Sequence, residues 1–267
     1  MKKLLLLLLC LCYSFGADFD EIVQNKFVRI GVSPYMPPFS MQNDNGEFEG
    51  FEIGFSKVLI EKIFGKDVEV KFIAVQQSDR SKALREDKVD MIVAAYTRNP
   101  KRARVVDFSI PYFSINLSVV TPISANIKKI SDLYGKRVLT IENTNSDDYL
   151  KKVGKFKIVY CQDNKECYNK LRAKDADAFM HNIVSVATIP LINPDYEISI
   201  KQIGQSFMDC VAVQKGSTKL LSKINETIIE LGQSGFFKES YNNTFKTFYR
   251  GTLDCKYFVL DDIYGMF

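Results

Sequence analysis

The chain has 267 residues, a formal net charge of +4, and 46% hydrophobic and 25% charged residues. This length and apolar content are enough for one large domain or two modest ones, each with a buried core, and the weak charge gives no sign of a nucleic-acid partner. Since the chain has a single histidine and no cysteine spacing typical of zinc motifs, we expect no metal site, and no motif indicates a cofactor.

The first residues have the three zones of a secretory signal peptide. A lysine pair comes first, residues 4–12 are apolar, and the small residues Ser14 and Gly16 suit a cleavage site. The apolar run is too short to span a bilayer. We therefore predict that residues 1–16 are a signal peptide and that the mature chain begins at Ala17 in the periplasm. An uncleaved membrane anchor is the alternative.

Strands and helices alternate through the first half of the chain. A proline-containing loop follows the first predicted strand, and Gly65 ends the first long helix. A short helix then leads into an apolar run from Val89, which is typical of a buried strand. The predicted strands are 27–32, 68–73 and the run from 89, and the predicted helices are 51–64 and 79–87.

The alternation restarts after Pro122. The polar segment 142–146 opens a helix, and Ser217 can cap a long helix with one apolar face. The further predicted strands are 137–141, 156–161, 176–181 and 208–214, and another helix ends near Ala173. Alternating strands and helices predict a parallel sheet and the α/β class.

Two short segments in the two halves of the chain are similar. LREDKVD at 84–90 aligns with LRAKDAD at 171–177. Such a repeat predicts two related helix–strand units, one in each of two lobes that face each other. A chance match is the alternative for so short a segment.

Residues 89–113, VDMIVAAYTRNPKRARVVDFSIPYF, contain an apolar strand, a polar turn and Arg102. The planar guanidinium of an arginine matches the two oxygens of a carboxylate. The stretch is similar to the signature of the polar amino-acid family of periplasmic solute-binding proteins, family 3. That signature is a strand ending in small-x-Thr, then four residues and an Arg, then Asp-Phe-Ser-x-Pro-Tyr. Residues 96 and 98–100 depart from its commonest residues, but the spacing is intact.

The resemblance covers nearly the whole mature chain and implies an α/β fold of two lobes, the type II periplasmic-binding-protein fold. Lobe 1 would combine residues 22–113 with 208–267, and lobe 2 would comprise 117–206. Two crossings between the lobes would form a hinge. The C-terminal extension, 246–267, is aromatic-rich and is not accounted for by the resemblance.

Ligands of open α/β sheets bind beyond the carboxyl ends of the strands, and the resemblance implies a ligand between the lobes. We expect Arg102 to bind the α-carboxylate of the ligand with help from Thr97, whereas a solvated surface arginine is the alternative. The candidate ligand-binding residues are Tyr35, Met36, Phe51, Arg80, Ala95, Thr97 and Arg102 in lobe 1, and Thr144, Asn145, Ser146, His181 and Asn182 in lobe 2.

Several of these residues have specific expected roles. Phe51, with Tyr35 and Met36, would form the apolar walls around the ligand; packing within loops is the alternative. Residues 144–146 open a helix, whose N–H groups and dipole suit a carboxylate. His181 is a plausible cleft residue or a structural histidine.

Two positions bear on the choice of ligand. The family commonly has Asp where Asn182 stands, and that Asp binds the ligand's ammonium group. Asn can still accept a hydrogen bond, but without charge; either Glu142 or Asp147 replaces the Asp, or the ligand lacks an amine. Arg80 stands where members that bind acidic amino acids often carry an arginine for the second carboxylate.

The resemblance implies a monomeric extracytoplasmic receptor of an ABC importer. It would bind a small amino acid, with an acidic or polar one favoured, and deliver it to a membrane permease. One alternative is an enzyme similar to the cyclohexadienyl dehydratases, with His181 or Glu142 as the acid, although no coherent acid–base set is visible. The other is a sensor that docks on a chemoreceptor.

Four cysteines remain after the predicted cleavage: Cys161, Cys167, Cys210 and Cys255. An even number in an exported chain allows two disulfides in three connectivities. We favour Cys210–Cys255, because it would fix the C-terminal tail. Free buried thiols are the alternative.

Overall fold

The computed structural model describes residues 19–251, 253, 255 and 258–266. The predicted signal peptide, residues 1–16, and the predicted mature N-terminus at Ala17 lie outside the described residues. Within the described part of the chain, no helix is long and apolar enough to cross a membrane.

The described strands form two sheets. The strands are β1 Phe27–Val32, β2 Tyr35–Met36, β3 Ser40–Gln42, β4 Phe48–Glu49, β5 Glu69–Ala74, β6 Met91–Ile92, β7 Val106–Pro122, β8 Arg137–Ile141, β9 Lys157–Cys161, β10 Ala178–Asn182 and β11 Tyr196–Gln214. The large sheet has the order β5-β1-β6-β11-β7-β10-β8-β9, and the small one has the order β2-β3-β4.

Helices cover the large sheet. They are α1 Phe19–Asn25, α2 Phe51–Phe64, α3 Arg80–Arg85, α4 Asn145–Val153, α5 Asn164–Arg172, α6 Ile183–Val186, α7 Thr188–Ile192, α8 Thr218–Gln233, α9 Phe236–Tyr241 and α10 Asp261–Tyr264, with a π-helical turn at Asn242–Lys246. The long helix with one apolar face is confirmed as α8, which buries Leu220, Ile224, Ile228 and Leu231.

The predicted parallel pairing is confirmed in both halves of the sheet. β1 lies parallel to β5 and β6, and β8 lies parallel to β9 and β10. Helices connect these strands, because a parallel pair needs a crossover connection. Two clusters of buried apolar side chains belong to the second half alone and one to the first half alone. The largest cluster centres on the first half and includes three residues of the α6 region.

The predicted crossings, near residues 112–117 and 205–208, lie within the two longest strands, β7 and β11. β7 and β11 pair antiparallel through the middle of the sheet and join its halves. Between Ile203 and Phe207, β11 advances four residues while its partner residues on β7 change only from Leu117 to Ile115. Such bulges disrupt the ladder and let the strands bend. The bounds of the lobes remain a prediction.

The two copies of the short sequence repeat make equivalent hydrogen bonds. In the first half, the Asp90 carboxylate accepts from the backbone N–H and the guanidinium of Arg29. In the second half, Asp177 accepts from the same two groups of Arg137. Asp87 and Lys174, which also align, have φ angles of +53° and +62°. The same helix-to-strand turn is therefore built twice.

The predicted cysteine pairing is wrong. Cys161 and Cys167 form a disulfide with a Cα–Cα distance of 5.3 Å. Cys161 ends β9 and Cys167 lies in α5, so the bond closes the short loop between these elements. Cys210 is buried in β11, and neither it nor Cys255 is in a disulfide. Pairing depends on the distance between Cα atoms, which the spacing in the sequence does not reveal.

Candidate functional site

A small cavity lies between the two halves of the sheet. The structure places ten of the twelve candidate residues around it: Met36, Arg80, Ala95, Thr97, Arg102, Thr144, Asn145, Ser146, His181 and Asn182. Five further residues that the sequence did not indicate also line it: Gln77, Ile115, Asn116, Leu117 and Phe207. Three of these five come from β7, in the segment 112–117 where the first crossing between the lobes is predicted.

Arg102 is a buried cation held by neutral groups. It begins a single 3-10 turn after β6, and its Nη1 donates to the carbonyl and hydroxyl oxygens of Thr97, each at 2.7 Å. Its Nη2 donates to the carbonyl oxygen of Asn143 in the other lobe at 2.7 Å. Burial lowers the pKa of Arg102. Because no described residue forms an ion pair with Arg102, a ligand anion would relieve the cost of burying this charge.

The start of α4 faces Arg102 across the cavity. Asn145, in the first turn of the helix, donates from Nδ2 to the Thr97 hydroxyl at 2.6 Å. Thr144 caps the helix by accepting from the backbone N–H of Asp147. The Asn145–Thr97 and Arg102–Asn143 bonds link the lobes directly, so the structure is in a closed arrangement. The N–H groups of a helix start favour an anion.

Arg80 has a scaffolding role that the sequence did not suggest. Its Nε donates to the carbonyl oxygen of Gln77 at 2.8 Å, and its Nη1 donates to those of Ala94 and Ala95 at 2.8 and 3.1 Å. The guanidinium lies over the ring of Tyr96, 4.5 Å from its centroid. Burial lowers the pKa of Arg80 to about 10. Arg80 therefore already has partners in the protein and does not require a second ligand carboxylate.

Glu52 bonds to the segment that follows β6, which also contains the carbonyl partners of Arg80 at Ala94 and Ala95. Its Oε1 accepts from the backbone N–H of Ala95 at 2.6 Å and from the hydroxyl of Tyr112. Ala95 has a φ of +43°, a conformation that is uncommon for residues other than glycine. The Glu52 carboxylate thus helps to hold a strained residue on the cavity wall. The sequence signal for this role is an acidic residue in the otherwise apolar start of α2.

Two buried carboxyl groups lie near the arginines. Burial raises the pKa of Glu52 to about 7 and raises that of Asp209 well above its usual range. Asp209 is fully buried, and neither carboxyl oxygen has a hydrogen-bond partner among the described residues. The charge of Glu52 raises the pKa of Asp209 further, whereas the charges of Arg80 and Arg102 offset part of this increase.

Glu52 gives the protein a testable dependence on pH. Its folded-state pKa of about 7 exceeds the ordinary 4.5, so between these values the folded state holds a proton that the unfolded state has lost. The free energy of unfolding should therefore fall by about 3 kcal/mol as the pH rises through this window. Urea unfolding at pH 5, 6, 7 and 8 measures it, and Glu52→Gln should reduce the slope. Glu61→Gln, an exposed change on the same helix, should leave the slope in place; an undiminished slope in Glu52→Gln would contradict the assignment.

Two cavity residues from the end of β10 are already bonded. His181 Nε2 lies 3.0 Å from Gln77 Oε1, and Gln77 Nε2 donates to the sulfur of Met36. The histidine therefore donates from Nε2, and burial together with the charge of Arg80 lowers its pKa to about 3, so it stays neutral. Asn182 accepts from the backbone N–H of Ser185 at 2.7 Å. Its oxygen caps α6, and the residue also lines the cavity, where it brings no charge to a ligand ammonium.

Neither proposed replacement for the missing aspartate lies on the cavity. The Asp147 carboxylate accepts from the backbone N–H of Asn143, from Lys151 and from Tyr160. Glu142 is exposed and lines a different surface depression. Among the residues that line the cavity there are two arginines and no carboxylate.

Two candidate wall residues lie elsewhere. Phe51 is buried among aromatic rings of the core, including Phe39 and Phe113. Tyr35 is 41% exposed and lies on a separate groove. Successive residues of a strand point to opposite faces, so β2 turns Met36 to the cavity and Tyr35 away from it. The expectation that these two rings line the ligand cavity is therefore corrected.

Comparison with known proteins identifies the family. The model for the bacterial extracellular solute-binding proteins, family 3, matches residues 28–247. The chain belongs to this family. The fold is the two-lobed α/β fold of periplasmic binding proteins: a cysteine-binding protein from Campylobacter jejuni superposes with a TM-score of 0.86 at 33% identity, covering 90% of this chain and 97% of that one.

Two further relatives agree with this assignment. The solute receptor for L-cysteine of Neisseria gonorrhoeae has a TM-score of 0.87 at 28% identity and covers 91% of this chain and 99% of its own. The glutamine-binding protein GlnH of an ABC transporter in Bacillus subtilis is 26% identical over 231 residues, which are 84% of this chain and 83% of the relative. These relatives are solute-binding proteins, and the family-3 protein described here is one as well, not an enzyme.

Proposed function

We propose that this family-3 protein is the receptor of an ABC importer, binding a small amino acid by its α-carboxylate and delivering it to a membrane permease. One observation carries the proposal. The guanidinium of Arg102 is buried beside the first turn of α4, and no described residue forms an ion pair with it. A ligand that contacts both would favour the closed arrangement, because it gains contacts that the open one lacks. We further propose that the receptor is monomeric and works in the periplasm.

The charges around the cavity support an acidic or small polar ligand. Arg80 and Arg102 line it, His181 is neutral, and no acidic side chain is among its lining residues. A basic amino acid carries a positively charged side chain besides its ammonium group, and this charge would be repelled by the two buried arginines. The two solved relatives named above are a cysteine-binding protein and a solute receptor for L-cysteine. We therefore place L-cysteine first and glutamate or aspartate second, and we expect arginine not to bind.

A thermal-shift panel tests the proposal. L-cysteine, L-glutamate, L-glutamine, L-cystine and L-arginine should be compared, each at rising concentration. A ligand at a hundred times its dissociation constant adds about 2.7 kcal/mol, so the melting temperature should rise by about 5–10 °C for a chain of this size. Cysteamine is the matched control, because it keeps the thiol and amine of cysteine but lacks the carboxylate. Stabilisation by arginine, or by cysteamine as strongly as by cysteine, would contradict the proposal.

A further inference from the structure

The chain extends beyond the family match at its C-terminal end. The match ends at Thr247, and the sequence continues to Phe267. We call residues 248–266, as far as they are described, the C-terminal strap. The family match says nothing about this segment. It is aromatic, and its described part is packed against the rest of the protein rather than extended away from it.

The strap is attached firmly to lobe 1. The carboxylate of Asp261 accepts from the backbone N–H of Phe237 at 3.1 Å. Tyr264 lies so close to α8 that a Cβ on Gly232 would be 2.6 Å from its ring. A side chain at this glycine would clash with the ring, so the close approach depends on the glycine.

The strap also contacts the crossing strand β7 where the chain leaves lobe 1. The backbone N–H of Ser114 donates to the carbonyl oxygen of Phe258 at 2.7 Å. The ring of Phe258 is stacked on that of Phe113 with centroids 5.7 Å apart, and the hydroxyl of Tyr264 donates to the carbonyl oxygen of Pro111. Ser114 directly follows the predicted end of lobe 1, whereas Pro111 and Phe113 lie within lobe 1.

One bond of the strap reaches the other lobe. The hydroxyl of Tyr249, whose side chain is fully buried, donates to the carbonyl oxygen of Val184. Val184 lies in α6, and this helix is capped by the cavity residue Asn182. The ring of Tyr249 stacks near Phe245 on the lobe 1 side, with centroids 6.3 Å apart. The strap thus connects lobe 1 to α6 of lobe 2, the helix that begins next to the cavity residue Asn182.

We propose that the C-terminal strap holds the lobes in the closed arrangement and so raises the affinity for ligand. Opening moves lobe 2 relative to lobe 1, so it must break or strain the Tyr249–Val184 bond. A bond made only in the closed arrangement shifts the equilibrium toward it, and a more populated binding-competent state binds ligand with a lower apparent dissociation constant.

Tyr249→Phe tests the proposal, because it removes the hydroxyl and keeps the ring. One net hydrogen bond is worth about 1 kcal/mol, which corresponds to roughly a five-fold fall in the closed-to-open ratio. Small-angle X-ray scattering of the ligand-free protein should show a larger radius of gyration for this variant than for the wild type. Tyr264→Phe is the matched control: it loses a bond of the same kind within lobe 1 and should keep the wild-type radius.

Affinity gives a second measurement. Calorimetric titration with L-cysteine should show a dissociation constant up to about five-fold higher for Tyr249→Phe, with the full factor reached when the closed state is the minor one, and an unchanged one for Tyr264→Phe. The scattering comparison does not depend on which amino acid is the ligand, so it tests the strap even if L-cysteine does not bind. An unchanged radius for Tyr249→Phe, or an equal increase in both variants, would overturn the proposal.

Discussion

Replacing Arg102 by alanine is expected to weaken strongly the binding of every amino acid that the receptor accepts. The guanidinium is buried, bridges the lobes through Thr97 and Asn143, and forms no ion pair with a described residue. Loss of one partner of a buried charge pair costs about 2–5 kcal/mol, so the dissociation constant should rise roughly 30-fold or more. Isothermal titration with the best ligand of the thermal-shift panel measures the change.

Arg104→Ala is the matched control for this experiment. Arg104 lies two residues further along and is exposed, so the variant has the same change in net charge without loss of a cavity group. It should bind as the wild type does. If Arg102→Ala retains wild-type affinity, Arg102 does not bind the ligand and the carboxylate site is elsewhere.

Arg80→Ala is expected to destabilise the fold and to weaken all ligands alike. The carbonyl oxygens of Gln77, Ala94 and Ala95 would each lose a donor. An unsatisfied buried acceptor costs about 1–3 kcal/mol, and release of the buried cation offsets part of the sum, so we expect a net loss of about 2–4 kcal/mol. For a chain of this size the melting temperature should fall by at least about 4 °C.

The same variant decides the role of Arg80 in selectivity. A second-carboxylate role predicts that glutamate and aspartate lose affinity while neutral amino acids keep theirs. A scaffolding role predicts equal losses, because the Ala95–Thr97 wall serves every ligand. Arg85→Ala, an exposed change on the same helix, controls for net charge. A selective loss of acidic ligands without a lower melting temperature would contradict the scaffolding role.

Local patterns were sufficient for many elements of the fold. The predicted bounds of β1, β8 and α2 agree with the structure. Each is a short apolar run or a periodic segment with a clear end, such as Gly65 after α2. In such segments the residues that determine the structure are neighbours in the sequence, so their pattern is visible without the fold.

Much of the candidate site could also be predicted from the sequence, because the spacing of the 89–113 signature indicates Thr97 and Arg102. Arg102, Thr97 and the 144–146 turn all line one cavity. Strand ends predict where a ligand lies in an open α/β sheet, so residues that follow strands could be selected. The same rule could not say which way a side chain points, which is why Tyr35 and Phe51 were misplaced.

The rest depended on contacts between residues far apart in the sequence. Four features follow from how the halves of the chain pack. They are the length of the β7–β11 pair, the Cys161–Cys167 bond, the carbonyl partners of Arg80 and the hydrogen bond from Ala95 to Glu52. From the sequence alone, each residue at these positions could pack against or bond to several others. Only the packed fold selects among them, because a buried polar group must bond to whatever lies within reach.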